Sequence, residues 1–148
     1  MNVFIFSFNV NPVSVKAADQ KIAQLNSELS TQKIIQKHCD SYRLCRKVIE
    51  DCKSANDPKA YRTKHQAEYH LHDSLKKELQ NLGVTKIPSS DKIKKRIENL
   101  ESEQTASVRE KQGLQEKQKL LNTIQQNFNV LLDAPEMQPP LSEKENTL

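Results

Sequence analysis

Tryptophan and glycine are the residues that this chain most lacks. Its 148 residues contain no Trp and only two glycines, Gly83 and Gly113. The chain therefore has neither the glycine-rich loop that cradles phosphate groups nor the tight glycine-flanked turn that presents a nucleophile. We expect function to reside on helical surfaces, and we expect no enzymatic activity, no cofactor and no small-molecule substrate.

Hydrophobic residues are also scarce. They make up 35% of the chain, against roughly 45–50% in an ordinary globular domain. Such a composition can line the contacts between helices but cannot fill a thick core. The formal net charge of +4 permits a polyanionic partner without requiring one.

The three cysteines, Cys39, Cys45 and Cys52, lie in one stretch of helical pattern. Seven residues of helix place the Cα atoms of Cys45 and Cys52 ~10.5 Å apart, whereas a disulfide needs less than about 7 Å. We therefore expect free thiols packed between helices. Free thiols are typical of a reducing compartment, so the sequence favours a cytoplasmic protein.

The N-terminal segment differs from the rest of the chain. Residues 3–8 form an apolar run that is too short to span a membrane and has no cationic stretch before it. We expect residues 1–13 to be irregular or a short β-like segment, and we expect no membrane association.

Apolar residues recur at multiples of seven, as at Leu100, Leu114, Leu121 and Phe128. This spacing keeps one face of a long α-helix apolar. Asp57-Pro58, Gly83 and Ser89 or Ser90 mark helix ends and starts. The sequence predicts three helices, at about 14–55, 58–82 and 90–132, forming one domain over residues 14–132. A disordered tail is expected over 133–148.

Helix lengths and connector lengths predict the arrangement of this domain. The helices measure ~62, ~37 and ~63 Å, and short connectors favour antiparallel neighbours. We expect an all-α fold, an elongated antiparallel three-helix coiled coil. A change in the phase of the apolar stripe near Ser30-Thr31 predicts a bend or stutter there.

The short middle helix leaves apolar stripes uncovered at both ends of this arrangement. Such stripes mark an interface with a protein partner or in a homodimer, unless the first helix folds back at Ser30-Thr31. The residues expected on these stripes are Ile22, Leu25 and Leu29 at one end, and Leu121, Ile124, Phe128 and Leu131 at the other.

Glu68 interrupts the apolar stripe of the second predicted helix and is flanked by His65 and His72. A Glu/His helix face can serve a di-metal site, but two further carboxylates from facing helices are needed. The register instead places Arg46 and Gln104 near Glu68. We therefore expect these three residues to form a structural polar layer, and we expect no metal site.

Cations cluster in three places on the predicted helices, at Arg43, Arg46 and Lys47, at Arg62 and Lys64, and at residues 92–96. Interleaved glutamates favour a solvated helix surface, and weak, non-specific contact with a DNA backbone is the alternative. Because no aromatic residues are interleaved, a dedicated site for single strands is not expected. The cations that would contact DNA are Arg43, Lys47, Lys92, Lys94, Lys95 and Arg96.

Several stretches resemble one known family. They are YRLCRKVIEDCK at 42–53 followed by Asp57-Pro58, KHQAEYHLHDS at 64–74, IPS at 87–89 and QNFN at 126–129. Over about residues 35–132 the chain resembles the C-terminal helical region of relaxases, the mobilisation nucleases of Gram-positive plasmids and conjugative transposons. In that family the nicking site lies in a separate N-terminal domain, so no catalytic residue carries over.

The resemblance implies a non-catalytic helical segment accessory to the mobilisation of plasmid or transposon DNA. A generic coiled-coil adaptor and a weak, non-specific DNA-binding protein are the alternatives that the residues leave open.

Overall fold

The computed structural model describes residues 12–133, which are almost wholly helical. Helix α1 spans Pro12–Asp51 and is followed by a 3-10 turn at Cys52–Ser54. Helices α2 and α3 span Pro58–Lys64 and Gln66–Asn81, and α4 spans Ser90–Asp133. The predicted all-α class is confirmed for this part of the chain. The expectations for residues 1–11 and for the tail from 134 onwards lie outside the described residues.

The predicted helix boundaries rest on local hydrogen bonds. Asp57 caps α2, because its Oδ1 accepts hydrogen bonds from the backbone N–H groups of Lys59 and Ala60, both at 3.1 Å. Ser89 caps α4 through a 3.3 Å bond from the N–H of Lys92. Gly83 ends α3 with a φ of 82°, which glycine adopts without steric cost.

The second predicted helix is interrupted at His65. This residue has φ −105° and ψ 26°, and it separates α2 from α3. Its ring packs on Tyr61, with 4.3 Å between the ring centroids. The Tyr61 hydroxyl in turn donates to the carbonyl of Val48, in the last turn of α1, at 3.1 Å. Helix α2 thus packs against the end of α1.

The three-helix arrangement differs from the prediction. Helix α1 contacts both α3 and α4, but no Cα of α3 lies within 8 Å of a Cα of α4. Ion pairs join Glu28 to Arg96 and Asp19 to Lys111 along α4, and His38 to Glu78 along α3. With the Tyr42–His72 ring contact as a second point on α3, these pairs show that α3 and α4 follow one another in the same direction along α1, each antiparallel to it.

The apolar stripe on α1 changes phase where α1 stops packing against α4 and begins to pack against α3. Ala18, Leu25 and Leu29 are buried on the line that faces α4, whereas Cys45 is buried on the line that faces α3. Helix α1 continues unbroken through Ser30-Thr31. The alternative in which the first helix folds back at Ser30-Thr31 is therefore wrong.

The core lies where the end of α3 and the start of α4 meet the middle of α1. Leu79 and Leu100 are each 1% exposed, and Cys39 is fully buried. The members of this buried cluster are Leu25, Leu29, Ile35, Cys39, Leu79, Ile93, Ile97 and Leu100. None of the described helices is long and apolar enough to cross a membrane.

Candidate interaction surface

Helix α4 faces α1 along one row of residues spaced three and four apart. The row begins with Ile93, Ile97 and Leu100, which are buried, and continues through Ser107, which is 3% exposed. Beyond Leu100 it becomes polar, with Gln104 donating to Asn26 and Lys111 paired with Asp19 at 2.5 Å. The contact between α1 and α4 is thus apolar near the core and polar towards the start of α1.

The stripe expected to be bare at one end is covered. Leu25 is 6% exposed and Leu29 is 8% exposed, and both belong to the core, while Ile22 is half-buried. The expectation that these residues form an interface is wrong, because α4 rather than a second protein lies along this half of α1.

The stripe at the other end is exposed. Asp19 pairs with Lys111, and Val15 lies beside Gln112 and Lys119. Because the two helices are antiparallel, the residues of α4 after Lys119 extend past the described part of α1. We name residues 120–132 the α4 tip. Of the four tip residues expected at an interface, Leu121 is half-buried, Ile124 is 45% exposed, Phe128 is 47% exposed and Leu131 is 74% exposed.

Apolar side chains of the α4 tip form two rows. Leu121, Leu132 and, between them, the polar Gln125 continue the row that faces α1, and we name them the inner row. Leu120, Ile124 and Leu131 are each one position earlier, about 100° around the helix, and we name them the outer row. Phe128 lies on the border of the two. Leu120, in the outer row, is 61% exposed, whereas Leu121, in the inner row, is half-buried.

Sequence reasoning missed Leu120 and Leu132, which are 61% and 67% exposed. The signal that could have found them is the run LLNTIQQNFNVLL, since residues 120–132 contain no charged side chain. The heptad spacing selects only one line along a helix, whereas this run is apolar across about a third of its circumference.

The predicted polar layer does not form. Arg46 pairs with Glu50 at 3.0 Å, Glu68 contacts His65 at 3.3 Å, and Gln104 binds Asn26. Glu68 and Gln104 lie on α3 and α4, between which no two Cα atoms come within 8 Å, so the register that placed the two residues together is wrong. A hydrogen bond from its own backbone N–H, with the His65 contact adding to it, lowers the pKa of Glu68.

Aromatic, histidine and cysteine side chains fill the contact between α1 and α3. Tyr42 stacks on His72 with 4.5 Å between ring centroids, and His38 pairs with Glu78 at 3.1 Å. Burial raises the pKa of the Cys45 thiol, with the nearby Glu68 carboxylate adding to the shift. The three cysteines are free, as predicted.

Metal-ligating side chains do not cluster in residues 12–133. No group of three or more His, Cys, Asp or Glu side chains could hold a metal ion there. His65 and Glu68 touch, but His72 turns to Tyr42 and Asp73. The arrangement that a di-metal site requires is not assembled on this helix face.

The predicted DNA-contacting cations are divided between two helices. Lys92, Lys94, Lys95 and Arg96 lie on the first two turns of α4, and the first three of these are exposed. Arg96 is paired with Glu28 at 3.1 Å. On α1, Arg43 contacts both Asp40 and the carbonyl of Pro88, which precedes α4, and Lys47 is exposed. The arginines are thus engaged within the protein, while the lysines face solvent.

No protein-family model, no curated protein and no solved structure matches this chain. Within residues 12–133, the α4 tip and the exposed lysines at the start of α4 are the surfaces from which we infer a function.

Proposed function

We propose that this chain is a non-catalytic helical interaction protein of the cytoplasm, accessory to the mobilisation of plasmid or transposon DNA. One observation carries the interaction role. The α4 tip extends past α1 and exposes Leu120, Leu131 and Leu132 at 61%, 74% and 67%. A contiguous apolar surface of this kind on a water-facing helix is typical of a protein–protein interface.

The resemblance to the helical region of relaxases supports the mobilisation role. The resembling stretches 42–53 and 64–74 supply part of the contact between α1 and α3, including the Tyr42–His72 stack. The stretch 126–129 lies within the α4 tip. The resemblance thus concerns both the scaffold and its exposed end, and it does not extend to the nuclease domain of that family.

A mobilisation assay tests this role. Deleting the gene should lower transfer of the resident plasmid or transposon at least about tenfold, and the wild-type gene supplied in trans should restore it. A Leu131→Glu gene should restore transfer less well than a Val130→Glu gene. Unchanged transfer in the deletion strain would overturn the mobilisation role.

A nicking assay tests the absence of catalysis. We expect the purified protein to leave a labelled single-stranded origin oligonucleotide intact with Mg²⁺ or Mn²⁺. Reproducible nicking that a phenylalanine replacement of Tyr42, Tyr61 or Tyr69 abolishes would show that the protein is an enzyme.

Weak DNA contact is the second candidate function. It is favoured by the exposed positions of Lys92, Lys94 and Lys95 on the first turns of α4. These lysines can contact phosphates but offer no means of reading base sequence.

A further inference from the structure

We propose that the occupant of the outer row on the α4 tip is the same row of a second copy of this chain, packed antiparallel about a two-fold axis. This inference deepens the proposed interaction role and rests on it. It identifies the partner as the protein itself and the contact as Leu120, Ile124, Phe128 and Leu131.

The outer row faces a different direction from the surface of α4 that α1 covers. The inner row continues the line along which α1 packs on α4. The outer row lies about 100° around the helix from that line. A segment that extends the line of α1 would therefore cover the inner row and leave Leu120, Ile124 and Leu131 in water. The outer row needs an occupant that approaches from another side.

The outer row is confined to the α4 tip. Where α4 is covered by α1, the same line of the helix carries Lys117 and Gly113, and it becomes apolar only at Leu120. At 61% and 74% exposure, Leu120 and Leu131 bracket the row. An apolar line that begins where the covering helix ends fits a contact made beyond the α1–α4 pair.

The absence of charged side chains on the α4 tip favours a second copy of this chain over a partner with a charged binding surface. Residues 120–132 contain no charged side chain, so two copies meet without like-charge repulsion. A partner bearing a charged recognition surface would find no opposite charge here. The closed symmetry of a two-fold dimer also uses one patch on both subunits, which a single exposed row can supply.

Antiparallel pairing fits the positions of the side chains. It places Leu120 of each copy opposite Leu131 of the other, and Ile124 opposite Phe128. A parallel pair would instead bring Lys117 of one copy beside Lys117 of the other on the line of the contact, and like charges at that distance are unfavourable.

The tip is short, which sets the expected affinity. Thirteen residues of helix measure ~20 Å, and a contact of that length is smaller than a standard protein–protein interface. We therefore expect a dissociation constant of about 10–100 µM.

Sedimentation of the full chain tests the proposal. Between about 5 and 200 µM the wild type should pass from monomer to dimer. Leu131→Glu should raise the dissociation constant at least about tenfold, because a carboxylate would be buried in the contact. Val130→Glu is the matched control, because Val130 is 68% exposed in the same segment but lies about 100° around the helix from Leu131, on the side away from the inner row. It should leave the dissociation constant unchanged.

Orientation is tested by mixing two single-cysteine tips. In a Cys52→Ser background, Leu120→Cys and Leu131→Cys chains should form a mixed disulfide more readily than either chain forms one with itself. Preferred Leu120→Cys self-pairing would show a parallel contact and overturn the antiparallel proposal.

Two results would overturn the second copy as occupant. One is a wild type that stays monomeric to about 200 µM, a concentration above the whole expected range of the dissociation constant; the row would then belong to a different protein or another segment of this chain. The other is equal weakening by Leu131→Glu and Val130→Glu. Both measurements use purified protein, so a failed dimer with mobilisation still dependent on the gene would leave the proposed function standing.

Discussion

Individual buried side chains carry most of the stability of this thin fold. Leu79 is 1% exposed and packs where the end of α3, the start of α4 and the middle of α1 meet. Few other residues are buried to this extent. Within residues 12–133 most contacts join only two helices, and because no third helix covers them, most side chains remain in contact with water. Substitutions at this junction should therefore be much more damaging than substitutions elsewhere on the same helices.

Leu79→Ala should lower the free energy of unfolding by about 2–5 kcal/mol, because it removes a buried side chain and leaves a cavity. Leu44→Ala is the control, because Leu44 is 69% exposed on α1, and it should change the same quantity by less than about 0.5 kcal/mol. Urea denaturation followed by circular dichroism at 222 nm measures both. Equal effects of the two substitutions would show that the junction is not the core.

The Glu68 carboxylate should make stability depend on acid pH. Its pKa is lowered in the folded protein by its own backbone N–H and by His65. A depressed carboxylate pKa stabilises the fold above the unfolded-state pKa, and this stabilisation is lost as pH falls through the folded-state value. The urea midpoint of the wild type should therefore fall more steeply below pH 5 than that of Glu68→Gln. Parallel pH profiles for the two proteins would contradict the pKa shift.

At the scale of the helices, the sequence predicts where each helix begins and ends better than it predicts which helices pack against each other. The ends of α2, α3 and α4 follow from side chains next to them, since Asp57, Gly83 and Ser89 act within a few residues. The choice of partner depends on which face each helix presents after a connector. The change in the phase of the apolar stripe on α1 carried that information. An apolar stripe that moves around a helix is explained equally well by two successive partner helices and by a bend in the helix.

The order of the helices can be measured directly. Along α1, Ala67 lies near position 47 and Ala106 near position 24, so the two alanines are about 35 Å apart at 1.5 Å per residue. The antiparallel three-helix arrangement would place them about 10 Å apart, the spacing of neighbouring helices. Both alanines are exposed and accept spin labels through Ala67→Cys and Ala106→Cys in a Cys52→Ser background. A labelled pair at about 10 Å in double electron–electron resonance would overturn the present topology.

At the scale of the whole molecule, polarity changes from one end to the other. The His- and Tyr-rich contact of α1 with α3 lies at one end, the leucine core lies in the middle, and the uncharged α4 tip lies at the other end. The sequence indicated an exposed stripe at the tip because the length of α4 exceeds what a partner helix covers. It could not indicate the covered stripe at Leu25 and Leu29, because that depended on α4 following α3 instead of folding back on it.

DNA affinity, if the lysines at the start of α4 provide it, should be sequence-blind and sensitive to salt. Lys92, Lys94 and Lys95 form no ion pair within residues 12–133. Three phosphate contacts predict that the logarithm of the association constant falls with the logarithm of salt concentration with a slope of about −2.7. Fluorescence anisotropy with duplexes of unrelated sequence, titrated at several salt concentrations, measures this slope.

Replacing the three α4 lysines by glutamine should bring the slope close to zero, since their phosphate contacts are lost. The matched control replaces Lys53, Lys59 and Lys64 by glutamine, which lowers the net charge by the same amount around α2, at the end of the molecule away from the α4 tip. If net charge alone attracted DNA, both triple variants would weaken binding equally. Greater loss in the α4 variant would locate the contact at the start of α4, about 48 Å along the helix from the middle of the α4 tip. A salt-tolerant affinity that distinguishes between sequences would instead require contacts with base edges, which lysines held at phosphate distance do not make.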